Sequence, residues 1–370
     1  MVVVIGGGVV GSAAAYRLAR SGAPVTLIDR GDQGQATAAG AGIISPATSI
    51  RPQKAFFDLA NRSVAYYPEL LAQLREDGET DTGYDVVGAL FVATTAEELA
   101  RLPEISKLVH SRQGWSHVGE VSDLGPAEVR DLFPPLAALG AVHTTGAARM
   151  DGRLMRDALR RAAVKRGARV LVDGADLVVV GGRVTGVRTG SGQELASDAV
   201  LIAGGAWSPA MGRALGVDLA VEPQRGQILH MEMPGVTTGG WPIVVGFHES
   251  YMLTFPANRV VAGATRETGS GFDYRLTVGG THFVLSEALR VAPGLAEATI
   301  REWRIGLRPS AKDGLPFLGR LHGVENAYVA TGHGASGLQL GPYSGAAVAD
   351  LMLGKAPDID FTAFRADRGR

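Results

Sequence analysis

The sequence predicts an α/β fold in which a discontinuous, Rossmann-like dinucleotide-binding domain is interrupted by a second domain built on an antiparallel sheet. Three observations carry that expectation. The first thirty residues hold a strand, a glycine turn, a helix and a second strand closed by an acid. The fully apolar run Ala199-Val200-Leu201-Ile202 ends in Gly204-Gly205, which suits the buried centre of a parallel sheet. Residues 224–265 then alternate with period two, the pattern of antiparallel strands with one exposed face. At 370 residues the chain also exceeds the size at which one core usually stops growing.

Taken in order, Val2-Val3-Val4-Ile5 runs as a strand into Gly6-Gly7-Gly8-Val9-Val10-Gly11. Gly6 lets the chain turn, Gly8 lets the backbone approach a pyrophosphate, and Gly11 lets the helix Ser12–Arg20 pack close to the strand. The helix N-terminus favours phosphate charge. Val25-Thr26-Leu27-Ile28 ends at Asp29, 18 residues after Gly11, placed to accept hydrogen bonds from ribose hydroxyls. Ala36 to Ile44 is a small-residue segment able to lie flat against an extended cofactor. Lys54 to Arg75 reads as an amphipathic helix with Phe56, Phe57, Leu59, Ala60 and Val64 as apolar positions, and Gly88–Val92 as a strand.

Further on, Asp151–Gly167 reads as a helix and Arg169–Val172 as a strand. Asp176–Val180, Arg183–Arg188 and Asp198–Ala203 read as short strands between glycine turns. Gln227–Met231, Ser250–Thr254 and Arg259–Gly263 supply the period-two strands. Ala327–Thr331 leads into Gly332-His333-Gly334-Ala335-Ser336-Gly337, and a last helix is expected from about Pro342 to Met352. The cofactor domain is accordingly assigned to residues 1–80, 145–220 and 300–370, and the antiparallel substrate domain to 81–144 and 221–299.

Composition narrows the function. A net charge of −1, with basic residues scattered, gives no reason to propose a nucleic-acid partner. The absence of cysteine excludes disulfides, thiolate metal sites and a cysteine nucleophile. His333, His248 and His230 show no metal spacing with nearby acids, so no metal is expected. With a strand at the second residue, no leader and no membrane-length apolar run, a cytoplasmic protein is expected. Surface composition leaves a homo-oligomer open.

Three segments together resemble the glycine oxidase and D-amino-acid oxidase/dehydrogenase family of FAD enzymes: the N-terminal fingerprint, Trp303-Arg304-Ile305-Gly306-Leu307-Arg308-Pro309 running on to Asp313-Gly314-Leu315-Pro316, and Gly332-His333-Gly334 through Gly341-Pro342. The similarity extends to Phe56-Phe57-Asp58-Leu59-Ala60 and Ala206-Trp207-Ser208. It implies a non-covalent FAD, its ADP on the βαβ unit and its isoalloxazine facing the antiparallel domain; the lack of cysteine excludes a flavin bonded through sulfur. Cofactor contacts are assigned to Gly6, Gly8, Val9, Val10, Gly11, Asp29, Arg30, Thr37, Ala38, Ala39, Gly40, Gly42 and Ile43. Asp176, Ala203, Gly204, Trp207, Arg308, His333, Gly334, Ala335, Ser336, Gly337, Leu338 and Gln339 complete them. Backbone N–H groups from Gly334 to Leu338 are expected to stabilise negative charge at flavin N1 and O2.

By the same resemblance Arg308 binds a substrate carboxylate, for which a planar guanidinium is suited, and Tyr251 assists at the carboxylate or amine. Ile43, Phe247 and Ala335 are expected in the substrate pocket. The chain departs from the family in three places. Ala335 stands where glycine oxidase has a second arginine, and Glu249 where it has a histidine. The strand Val260-Val261-Ala262 lacks the lysine that monomeric sarcosine oxidases hold near the flavin. Glu249 is either an attractor of a second substrate amine or a solvated strand-end carboxylate. The implied reaction is oxidation of a carbon–nitrogen bond in a small amino acid or secondary amine, with oxygen, a quinone or another carrier as acceptor. Three rivals stand beside it: an aromatic-ring monooxygenase, which lacks support without a late Gly-Asp-Ala motif; an NAD-binding dehydrogenase, which leaves the late glycine turn unexplained; and a non-enzymatic FAD module.

Overall fold

The structure, a computed structural model, describes residues 1–115, 117–248 and 250–368. One sheet has six strands in the spatial order Phe317–Arg320, Ala327–Thr331, Ala199–Ile202, Val2–Ile5, Val25–Asp29, Arg169–Val172. All neighbours are parallel except the first pair. Val4, Leu27, Leu201 and Ala330 face the helices Val9–Arg20, Lys54–Glu76, Gly152–Lys165 and Gly337–Met352. Val3, Ile28, Val200 and Val329 face a three-stranded antiparallel sheet, Ala175–Val180, Arg183–Thr189 and Glu194–Ala196, through Val184, Val187 and Leu195. Burial on both faces is why these strands read as continuous apolar runs. Alternating helical and strand segments therefore give the expected mixed α/β architecture.

The second large sheet has eight strands in the order Thr299–Ala311, Val221–Glu232, Arg259–Gly263, Tyr251–Phe255, Ile243–Gly246, Ala89–Ala93, Gly140–Thr144, Val121–Leu124. It is antiparallel apart from the Ile243–Gly246 and Ala89–Ala93 pair. The period-two reading is correct, but its expected exposed face is not. Leu229, Met231, Met252, Val260 and Ala262 pack under the helix Val278–Val291, while Ile228, Leu253, Phe255 and Val261 pack with Ala41, Ile43 and Tyr251 on the opposite face. A helix covers one side and the cofactor-side segments cover the other. Residues 300–311, assigned from sequence to the cofactor segment 300–370, run in the strand Thr299–Ala311 of this sheet, paired along its length with Val221–Glu232.

Two helix starts also differ from the sequence reading. The first helix begins at Val9, directly after Gly8, rather than at Ser12. The last begins at Gly337, although Pro342 favours a start at that residue. Pro342 has no N–H for the carbonyl of Leu338 four residues back. That carbonyl instead accepts a hydrogen bond from the buried hydroxyl of Tyr67 at 2.5 Å, so the helix passes through the proline. Among the described residues no helix is long and apolar enough to cross a membrane.

Candidate active site

The strand Val2–Ile5 ends on Gly6, whose φ of +102° places its backbone against the end of the neighbouring strand. A Cβ there would stand 2.4 Å from the carbonyl oxygen of Ala203. The next residues open the helix Val9–Arg20, where Val9 N–H donates to Thr37 Oγ1 at 3.0 Å. Asp29 braces the turn from the end of the second strand. Its carboxylate accepts from the N–H of Gly7, from Gly31 N–H at 2.7 Å and from Gln35 Nε2 at 2.9 Å, and it lies 3.3 Å from Arg160. Arg160 also donates to the carbonyl of Gly7. The acid thus holds the loop.

A cavity of about 370 Å³ runs from this turn to the face of the eight-stranded sheet, within the size range of ligand sites. Its walls include Gly6, Gly8, Val9, Val10, Asp29, Arg30, Thr37, Gly40, Gly42, Ile43, Asp176, Ala203, Gly204 and Trp207. From the sheet and the late turn come Tyr251, Arg308, His333, Gly334, Ala335, Gly337 and Leu338. Of the predicted contacts, Gly11, Ala38, Ala39, Ser336 and Gln339 do not line it. Gly11 is buried where the helix meets Gly6, Ala38 gives its carbonyl to Arg153, and Ala39 packs on Gly306. Ser336 lies at the head of the last helix, and Gln339 accepts from Ser45 N–H. Phe247, expected as a pocket wall, does not line the cavity: it packs edge-on against Phe91 and beneath Arg101, and Phe91 lies two strands across the sheet from Tyr251. Glu249 lies outside the described residues.

The inner end of the cavity is built on two glycines. Arg308 on the strand Thr299–Ala311 reaches across Gly226, so close that a Cβ at 226 would lie 2.4 to 2.5 Å from its guanidinium atoms. Tyr251 lies over Gly263, its partner across the sheet, where a Cβ would meet the phenol oxygen at 2.8 Å. Arg308 Nη1 donates to the carbonyl of Thr265 at 2.9 Å, fixing the fork. Burial pushes the Tyr251 hydroxyl above its ordinary range, with the charges of Arg308 and Arg266 acting in the opposite direction, so the phenol stays protonated at neutral pH. Ile228, Ala264 and Ile43 supply apolar walls around the pair.

His333 belongs to the same wall. It is buried, and its Nε2 has no hydrogen-bond partner among the described residues. Burial pulls its pKa down to about 4, so the ring is neutral at pH 7. A flat glycine cradle at one end and an orphaned buried nitrogen beside an accessible N-terminal turn at the other are what an extended dinucleotide with a polar ring system requires; the residues fit FAD. His230 is buried between the two layers away from the cavity, and His248 pairs with Glu287 at the surface. Among the described residues no three His, Asp or Glu side chains gather in a metal-binding group.

Sequence reasoning missed Gly226, Gly263, Arg160 and Arg266. Gly226 sits inside a strand and Gly263 ends one, neither with a turn signal, and only the cross-strand register shows which long side chain each one accommodates. Arg160 and Arg266 lie in segments whose neighbours carry no motif, and their proximity to the site comes from chain segments far apart in sequence.

Residues 1–351 match the DAO family, described as FAD dependent oxidoreductase. The chain is 43% identical to the oxidoreductase YurR of Bacillus subtilis (strain 168) over 364 residues, covering 98% of this chain and 97% of that one. It is 31% identical to glycine oxidase of Geobacillus kaustophilus (strain HTA426), covering 99% and 96%. The crystal structure of iminodiacetate oxidase (IdaA) from Chelativorans sp. BNC1 superposes with a TM-score of 0.95 at 40% identity, covering 99% of this chain and 98% of the other.

Proposed function

Because the chain belongs to the DAO family of FAD-dependent oxidoreductases, we propose that it oxidises the carbon–nitrogen bond of a small amine bearing a carboxylate, of the glycine, sarcosine, D-amino-acid or iminodiacetate type. The observation that carries this reading is the placement of Arg308 beside Tyr251 on a glycine floor at the sheet end of the cavity. Arg308 presents the planar fork that matches two carboxylate oxygens, already aimed by its bond to Thr265. The protonated Tyr251 hydroxyl is available to orient the carboxylate or the amine. Ile43, Ile228 and Ala264 exclude water from the carbon to be oxidised.

Bound FAD supplies the two-electron oxidant, accepting hydride from the carbon attached to nitrogen. The Gly6–Val10 turn and Asp29 would hold its ADP portion, and the accessible backbone from Gly334 to Leu338 would hold the ring end. The substrate nitrogen lone pair drives the transfer, so the chain needs no base at the carbon; its work is positioning and selection of the neutral amine. The imine so formed hydrolyses to a carbonyl product and a smaller amine.

The test is an anaerobic absorbance titration of the holoenzyme with glycine, sarcosine, iminodiacetate, and D- and L-amino acids, followed by air. Bleaching by one carboxylate-bearing amine class, with rapid return of colour in air, is the result expected of an oxidase; slow return identifies a dehydrogenase that uses another acceptor. A flavin that no amine bleaches refutes the reading.

A further inference from the structure

The fork of Arg308 is held from the face of the sheet opposite the cavity. Along the strand Val221–Glu232 side chains alternate, so Gly226 and Ile228 face the cavity, whereas Gln227 and Leu229 face the helix Val278–Val291. Gln227 is fully buried there, and its carboxamide joins three segments of chain. Its Nε2 donates to Glu267 Oε1 at 2.6 Å and to Thr277 Oγ1 at 2.9 Å, while its Oε1 accepts from Thr277 N–H at 3.0 Å. Thr277 caps the helix by accepting from Gly280 N–H at 3.2 Å, and a Cβ at Gly280 would run into the carboxamide. The start of the helix is thus seated on this one polar group.

From the carboxamide the bonds lead to Arg308. Glu267 Oε1 also accepts from Thr265 Oγ1 at 2.6 Å, and Arg225 Nε donates to the other oxygen of that carboxylate at 2.9 Å. Thr265 Oγ1 in turn accepts from Gln227 N–H at 3.0 Å, so the hydroxyl is gripped as donor and as acceptor. The carbonyl of this same Thr265 anchors Arg308 Nη1 at 2.9 Å. The charges around the carboxamide are Glu267 and, through it, Arg225, which also pairs with Asp273. The first turn of the helix carries no acid, and the strand Thr299–Ala311 sets Ile305 opposite Gln227. Both amide hydrogens and the carbonyl of Gln227 are engaged, and a buried network satisfied in this way fixes one arrangement of its members.

We propose that Gln227 is a positioning residue for substrate binding: through Glu267 and Thr265 it sets the angle at which Arg308 presents its fork to a carboxylate. This rests on the reading of Arg308 as the carboxylate anchor. Two-point recognition tolerates little displacement, because both oxygens must meet the guanidinium in one plane. Gln227 does not line the cavity, so its effect reaches the substrate only through the residues it holds.

Gln227→Glu keeps the shape of the side chain and sets a carboxylate against Glu267, where like charges at 2.6 Å cannot both persist without moving apart. Binding of (methylthio)acetate, an unreactive carboxylate, is read from the flavin spectrum of the holoenzyme. At pH 8 the variant is expected to bind it about 10-fold more weakly than the unaltered protein, and to recover as pH falls toward about 5.5 and the carboxylate pair takes up a proton. The unaltered protein is expected to show no such recovery. In an Arg308→Lys background, where no fork remains to be aimed, Gln227→Glu should change affinity by less than about 2-fold, the margin of uncoupled sites. Unaltered affinity of Gln227→Glu at pH 8, a loss that lower pH does not relieve, or an equal loss in both backgrounds would overturn the proposal. If Gln227→Glu fails to retain flavin, Gln227→Met, which keeps the length without the hydrogen bonds, carries the same two-background comparison and is judged by it. Arg308→Lys binding (methylthio)acetate as tightly as the unaltered protein would instead remove the carboxylate role of Arg308, and the proposal with it.

Discussion

Replacing Gly226 by alanine adds one methyl group and no charge, yet it is expected to disable carboxylate binding. The new Cβ would lie 2.4 to 2.5 Å from the guanidinium of Arg308. Carbon contacts need roughly 3.5–4.0 Å, so the fork must retreat by about 1 Å or more. Because the obstructing atoms are the end of a flexible side chain, the fold can absorb the change, and alanine suits a strand interior better than glycine by roughly 0.5–1 kcal/mol. Stability should therefore shift by no more than about 1 kcal/mol. Binding should not escape so lightly. Moving the fork breaks its 2.9 Å bond to Thr265 and removes the two-point match to a carboxylate. Hydrogen bonds to charged groups contribute about 1.5–3 kcal/mol, equivalent to roughly 10- to 150-fold in affinity. The assay pairs thermal melting and flavin content with steady-state kinetics on the amine that best bleaches the enzyme. A rise in KM of that order with an intact, flavin-loaded fold is the expected result. Wild-type KM in a well-folded Gly226→Ala protein would refute the geometry assigned to Arg308.

Other consequences can be checked alongside. Arg308→Ala should raise the apparent KM at least as far as Gly226→Ala while leaving flavin content unchanged; normal kinetics would eliminate the carboxylate role. Asp29→Ala should lower FAD retention and also destabilise the protein by about 2–4 kcal/mol, since it strands the Gly7 and Gly31 amides and the charge of Arg160, measured by flavin release and denaturant melts. Burial lowers the pKa of His333 to about 4 and of His230 to about 3, so below pH 6.5 the unfolded chain binds protons that the folded chain refuses. Stability should thus be lost as pH falls from 6.5 toward 4, by up to about 1.4 kcal/mol per pH unit for each histidine, and a flat stability profile between pH 6.5 and 5 would contradict this.

Much of this molecule is written locally. The turn from Gly6 to Gly11, the apolar strand Ala199–Ile202 and the alternation from Gln227 to Gly263 each depend on neighbours a few residues apart, so their structure and the family they indicate follow from the sequence alone. Even there, tertiary contacts reset the boundaries: Tyr67 occupies the carbonyl that Pro342 leaves open, and the last helix starts five residues early. The sheet end of the cavity is of another kind. Gly226 matters because strand register sets it beneath Arg308, and Gly263 because it lies beneath Tyr251. Phe247 shows the converse, a residue close in sequence to Tyr251 that packs on Phe91, two strands across the sheet, and stays out of the cavity lining. Backbone preferences and apolar periodicity act over one turn or one strand and can be read along the chain. Side-chain convergence depends on pairing between segments far apart in the chain, such as those of Gly226 and Arg308, 82 residues apart, and only the folded sheet fixes it.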